Sequence, residues 1–353
     1  MAHIYSSARK ILEKGAVEAS APCRIDSGGT WDIKSMALPL ERVKPVTINM
    51  ALNLRARVTL SPFKDGWVKI VSGGFHQPEE YPVENIPFTS PFGLFFAAVS
   101  YFGFHGLTVD IRSEFPVKSA LGGSSTALVA LIKALSKLGG VSGEKGLSGN
   151  EILYLAYNLE DSVSGGSCGS QDQAAAVYGG VNRWVWCYGN RSSLFKRESL
   201  LDSRGMKELS NRILVAYSGR SHVSLDTNRV YLKEFLSGRT RSGWIMVNDI
   251  VHRLGTAIRN RQWKRAGNLL REEMAVRMEI TPDALIPVTR KLIHQAEEAG
   301  CGARFAGAGA GGCVWALGEP DRNERLARVW KATLSPYKDA QILRCAIDPV
   351  GVR

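Results

Sequence analysis

Pro116-Val-Lys-Ser-Ala-Leu-Gly-Gly-Ser-Ser-Thr126 is the most informative stretch of the chain. Its small residues let a ligand approach the backbone closely. Leu128, Leu131, Ile132 and Leu135 then recur at helical spacing and predict a helix over Thr126–Leu138. A helix that starts after such a loop points its free N–H groups and the positive end of its dipole back at the loop, which suits phosphate. Ser124 and Ser125 add hydroxyls for phosphate or Mg2+. A plain N-capped helix after a turn would use the same residues. No G-x-x-x-x-G-K-[ST] occurs, so this is not a Walker A loop.

Upstream, the alternation of Val46, Ile48, Met50 and of Ala56, Val58, Leu60 predicts strands across Pro45–Ile70. Asp65-Gly66 predicts a hairpin joining Arg57–Phe63 to Trp67–Val71. Pro91–Tyr101 reads as a buried helix and Leu107–Ile111 as a strand. Downstream, Asn150 is a plausible N-cap for a helix over Glu151–Ser162. Glycine-rich Ser164–Ser170 precedes Gln171-Asp172-Gln173, and Val181–Tyr188 resumes a strand pattern. Gly189–Lys207 is polar and irregular, which divides the chain into expected domains at 1–200 and 201–353. In the second, a strand at Ile213–Tyr217 is followed by helices over Leu225–Met278 and Ile286–Gly300. A glycine loop, Gly307–Gly312, then leads into an apolar strand, Cys313–Leu317. That loop matches G-x-G-x-x-G, but a strand rather than a helix follows, which argues against dinucleotide binding.

At 353 residues the chain exceeds one comfortable hydrophobic core, and at 44% hydrophobic and 22% charged it reads as globular. No apolar run of bilayer-spanning length and no signal-peptide pattern is evident, so a cytoplasmic protein without a membrane partner is expected. The net charge of +12 suits anionic ligands or a merely basic surface. Arg253, Arg259, Arg261, Lys264 and Arg265 read as the wet face of helices. No aromatic and basic residues interleave as in base-stacking proteins, so no nucleic acid is expected. Six cysteines without a C-x-x-C pair point to free thiols rather than zinc or redox motifs.

Four charged residues are candidates for chemistry. Asp172 could take a proton from an attacking hydroxyl, or simply start a helix. Glu160 could ligate Mg2+, or be an exposed helical carboxylate. Arg24 could neutralise a transferring phosphoryl group, or form a surface salt bridge. Asp32 could hold a sugar hydroxyl, or cap a turn.

Taken in order, Ala21–Asp32, Pro116–Thr126, Gly169-Ser-Gln-Asp172-Gln and Arg304-Phe-Ala-Gly-Ala-Gly-Ala-Gly-Gly312 resemble the motifs of the GHMP kinase superfamily, nearly along the whole chain. Arg24–Asp32, Leu121-Gly-Gly-Ser-Ser125 and Tyr217–His222 look closest to its fucose and heptose-phosphate kinases. The resemblance implies an α+β fold of two domains: an N-terminal domain like the second domain of ribosomal protein S5, and a ferredoxin-like C-terminal domain. It implies ATP and Mg2+ as cofactors and a sugar or sugar-phosphate hydroxyl, the anomeric one, as acceptor. Position by position, it makes Asp172 the base and Arg24 the neighbouring cation. Leu121, Gly122, Gly123, Ser124, Ser125 and Thr126 cradle phosphate. Ser124 and Glu160 hold the metal. Asp32, Gly169, Gly307, Gly309 and Gly311 face the substrate. Ala120 replaces the glycine that usually opens the phosphate loop, where a positive φ would strain it. The expected partner is a small molecule, with a homodimer left open. A mevalonate or homoserine kinase, or a non-catalytic sensor on the same fold, are the alternatives.

Overall fold

A computed structural model describes residues 5–74, 77–141, 143, 145–190, 193–221 and 224–353, without the side chains of 224–226. His222, at the end of the Tyr217–His222 tract, lies outside the described residues. The long strand Val46–Pro62 organises the first half of the fold. Its alternating apolar residues Val46, Ile48, Met50, Val58 and Leu60 are all buried. Along one edge it pairs antiparallel with Val17–Ser27; along the other it pairs with Val181–Trp186 and then Leu107–Ser113. Trp67–Ser72, Glu79–Pro82 and Phe195–Ser199 complete a seven-stranded sheet. Helix Gly123–Val141 packs on Val17–Ser27 and Val46–Pro62.

Asp65-Gly66 does not close a hairpin. Leu107–Ser113 inserts between the two expected partners, antiparallel to Val46–Pro62 and parallel to Trp67–Ser72. A turn dipeptide reverses the chain, but the apolar strand Leu107–Ser113 takes the central place because it can be covered on the sheet. The helix Gly149–Val163 is capped by Ser148 rather than Asn150, through a reciprocal box with Glu151.

The second sheet is antiparallel, in the order Gly302–Phe305, Cys313–Leu317, Ile213–Tyr217, Gln341–Leu343. It is buried on both faces. Val215 and Trp315 belong to the large core shared with the first sheet, whereas Ala216, Val314 and Ala316 face helices Pro287–Glu298 and Pro320–Leu334. That two-sided burial explains why Cys313–Leu317 is apolar at every position. The chain end also crosses back: Ile347 bridges Leu52, and Arg353 N–H donates to the Ser20 carbonyl. Helix Gly123–Val141 has the length and hydropathy to span a bilayer, contrary to the reading of the sequence, but most of it is buried as a core helix. All six cysteines are free thiols. The result is a two-domain fold of mixed α/β content.

Candidate active site

Three segments meet at the C-terminal end of strand Val17–Ser27. The strand supplies Arg24 and Asp26, two residues apart and therefore on one face. The loop 116–122 supplies backbone: Lys118, Ala120 and Gly122 all have positive φ, at 56°, 63° and 76°. The strain expected for Ala120 is thus present. Helix Gly123–Val141 starts immediately afterwards, so Ser124 and Ser125 lie in its first turn, where backbone N–H groups lack intrahelical partners. The helix begins three residues earlier than the apolar spacing indicates, because the glycine and serines carry no periodic signal.

Arg24 is the hub. It is buried, and its Nε donates to Asp172 Oδ1 at 2.7 Å while its Nη1 donates to the Ala120 carbonyl at 2.7 Å. Asp172 is the second residue of helix Gln171–Tyr178 and opens onto the cavity. Burial pushes its carboxyl above the usual carboxylate range, with Arg24 pulling part of the way back. Gly122 keeps this pair close to the loop, since a Cβ there would lie 3.0 Å from Asp172 Cγ. Behind Arg24, Asp26 is fully buried; it accepts from Arg304 Nη1 at 2.8 Å and from the Gly307 N–H at 2.7 Å. Glu273 in turn accepts from Arg304 Nε at 2.9 Å, from the Gly28 N–H at 3.0 Å and from the Ser27 hydroxyl. Arg277, stacked over Trp244, donates to the Gly29 carbonyl at 3.0 Å. Asp26 and Arg304 lie within the first and last motif segments, where the resemblance gives them no role, and Glu273 and Arg277 lie outside every motif.

Asp32 lies beside Asp172. Its Oδ2 accepts the Gln171 N–H at 3.0 Å, and its Oδ1 has no partner. Gly169 must be glycine, because a Cβ there would collide with Asp32. Burial pushes the Asp32 carboxyl up from 3.8 to about 7, against the Gln171 hydrogen bond. Between those values the folded protein holds a proton that the unfolded chain releases, so stability falls as pH rises through that window. At about 1.4 kcal/mol per unit, the cost above neutrality is bounded at about 4 kcal/mol. Asp32→Asn should therefore raise the melting temperature, and more at pH 8 than at pH 4.5; thermal melts at the two pH values check this.

Glu160, on helix Gly149–Val163, accepts from the Ser124 hydroxyl at 3.0 Å and from Gln173 Nε2 at 2.6 Å. Burial raises it to about 7, opposed by the Ser125 and Ser124 hydroxyls. A serine hydroxyl and a carboxylate side by side on a cavity wall fit a hard divalent ion that takes its other ligands from phosphate and water. Among the described residues no group of three protein ligands accompanies them.

A cavity of about 450 Å³ gathers these groups. Arg24, Asp32, Gly122, Gly123, Ser124, Ser125, Glu160, Gly169, Asp172 and Gly307 line it, together with apolar residues that include Leu94, Phe95 and Phe115. Four expected residues do not. Leu121 is buried and receives the Arg24 N–H on its carbonyl, and Thr126 bonds back to the Gly122 carbonyl at 2.8 Å. Gly309 and Gly311 pack against Ala284 and against the Arg220–Ser221 backbone, with φ of 84° and 121°. At both positions the crowding and the positive φ require glycine.

Residues 93–180 match the GHMP kinases N terminal domain, and residues 256–335 match the GHMP kinases C terminal domain. The chain belongs to the GHMP kinases. A mevalonate kinase from Pyrococcus furiosus is 28% identical over 233 residues, 63% of this chain and 62% of that one. The chain spans about three fifths of the length of the curated mevalonate kinases it matches. A D-glycero-alpha-D-manno-heptose 7-phosphate kinase from Campylobacter jejuni is 40% identical over 79 residues, 22% of each chain. Among solved structures, Lactococcus lactis galactokinase complexed with galactose superimposes with a TM-score of 0.72 at 17% identity, covering 98% of both chains. A D-glycero-D-manno-heptose 1-phosphate kinase from Bacteriodes thetaiotaomicron does so with 0.68 at 18% identity, over 96% of this chain and 98% of that one. The GHMP kinase fold thus covers nearly the whole chain.

Proposed function

We propose that this GHMP kinase transfers the γ-phosphoryl group of ATP to a hydroxyl of a sugar or sugar phosphate, with the anomeric hydroxyl of a hexose or heptose as acceptor. The observation that carries this is a group of cavity-lining oxygens. Thr30 Oγ1, Asp32 Oδ1, Gln171 Oε1 and Asn228 Oδ1 all lack hydrogen-bond partners, and their residues all line the cavity that holds Asp172. Three of these atoms only accept when Asp32 is ionised. An acceptor with several O–H donors satisfies them; an acceptor carrying its own carboxylate would face them with like charge. A buried acceptor left unpaired costs enough to reject analogues that lack the hydroxyl.

In this reading Asp172 takes the proton of the attacking hydroxyl, and its raised carboxyl makes it a better base than an ordinary aspartate. Arg24 orients that carboxylate and supplies positive charge where the phosphoryl group passes. The free N–H groups of the first turn of helix Gly123–Val141 hold phosphate oxygens. Ser124 and Glu160 are the residues that would hold Mg2+, which supplies charge neutralisation on the phosphates. Gly307 backs Arg24 through Asp26. Residues 1–200 would carry this chemistry, and 201–353 would close it through Arg304 and Glu273.

A second reading takes mevalonate as the acceptor, favoured by the mevalonate kinases among the relatives. The two readings part in one experiment: Mg2+-dependent ADP release from ATP, measured with a panel of hexoses, heptoses and their phosphates beside mevalonate and homoserine. Stimulation by a sugar is the expected outcome. Stimulation by mevalonate alone would replace the sugar reading, and ATP binding without any turnover would favour a sensor.

A further inference from the structure

Lys118 holds a backbone conformation that a glycine would adopt freely and a lysine adopts at a cost, with φ of 56°. It lines the cavity together with Phe115, Val117, Ser119 and Ala120. Among the described residues, Arg24 and Lys118 are the basic side chains on the cavity wall. Arg24 is committed: its Nε and Nη2 both reach Asp172 Oδ1, and its Nη1 reaches the Ala120 carbonyl. Lys118 has no ion pair or hydrogen bond through its side chain among the described residues. A nucleoside triphosphate brings several negative charges into this cavity, and Asp32, Glu160 and Asp172 already place three carboxyl groups on its wall.

Strain at a ligand-lining position persists where the side chain has a use there. We propose that Lys118 is a nucleotide-binding residue whose ammonium engages the phosphate tail of the nucleoside triphosphate. The inference rests on the kinase reading above and deepens it. The ammonium is carried on a flexible stem, at a residue that lines the cavity beside the loop. It complements the loop's own N–H donors, which are fixed, with a cation that can follow the phosphates.

Lys118→Gly removes the ammonium and relieves the strained backbone together, so a loss of ATP affinity without a loss of stability assigns the effect to the charge. Binding of ATP and of adenosine is measured by calorimetry for wild type, Lys118→Gly and Lys118→Arg, beside thermal melts of each. The expected result is an ATP affinity lower by about tenfold in Lys118→Gly, as for loss of a charge-assisted phosphate contact. Adenosine affinity should be unchanged, ATP binding restored in Lys118→Arg, and the melting temperature of Lys118→Gly equal to or above wild type. Unchanged ATP affinity in Lys118→Gly, or an equal loss for adenosine, would overturn the proposal while leaving the kinase reading intact. Failure of the wild-type protein to bind ATP would remove both.

Discussion

Asp172→Asn should lower kcat by about 10²–10⁴-fold, the usual contribution of a positioned general base, with ATP affinity largely retained. The substitution keeps the shape of the side chain and removes its ability to take a proton. Arg24 stays in place, because it is also held by the Ala120 carbonyl and lies 3.5 Å from Asp26. The fold should therefore survive, and the loss should fall on the chemical step. The pH profile adds a second readout. Burial raises both Asp172 and Glu160, the latter to about 7. Asp172 works as a carboxylate, so wild-type kcat/KM should fall as pH drops, starting above the range of an ordinary aspartate. Steady-state kinetics from pH 5 to 9 check both points. A variant with wild-type turnover would remove Asp172 from the base role.

Glu273→Ala should destabilise the protein by about 3–5 kcal/mol, the cost of leaving a buried charge without its partner. Glu273 is fully buried, and it pairs with Arg304, receives the Gly28 N–H and accepts from Ser27. Its loss leaves Asp26 as the one carboxylate paired with Arg304 among the described residues and weakens the tie between strand Val17–Ser27 and helix Trp263–Ile280. Since Asp26 also sits behind Arg24, the lesion reaches the site. Urea denaturation measures the stability loss. Glu273→Gln keeps the shape and one hydrogen-bonding oxygen, so its loss should be smaller. A loss well under that of an ordinary core truncation in Glu273→Ala would show that the cluster adds little to holding the halves together.

What the sequence reveals here is what local chemistry dictates. Loop 116–126 is legible as a tight turn before a helix because its small residues are closely spaced, and its order with the other motifs gives it a candidate role; Arg24, Asp32, Glu160 and Asp172 stand out against glycine-rich or apolar surroundings. Ala120 was legible as a strained position, and its φ of 63° bears that out. Long-range choices were hidden. Asp65-Gly66 marks a reversal but carries no information about Leu107–Ser113, which enters the sheet about forty residues later. Asp26 lies far in sequence from Glu273, Arg277 and Arg304, and only the fold brings them together out of water. The neighbours that require glycine at 309 and 311, Ala284 and Ser221, are distant in sequence and could not be read from the loop itself. Thr30, though inside the first motif segment, has no role by the resemblance, and Asn228 has no signal, being an ordinary polar residue until the cavity encloses it.

The most direct measurement is phosphorus NMR of a reaction containing ATP, Mg2+, this protein and the sugar that most stimulates ADP release. The account predicts a new phosphate monoester resonance coupled to the anomeric proton of the sugar, growing with the β-phosphate signal of ADP and absent with Asp172→Asn. Inorganic phosphate as the only product, or a phosphate ester formed on mevalonate and on no sugar, would contradict it.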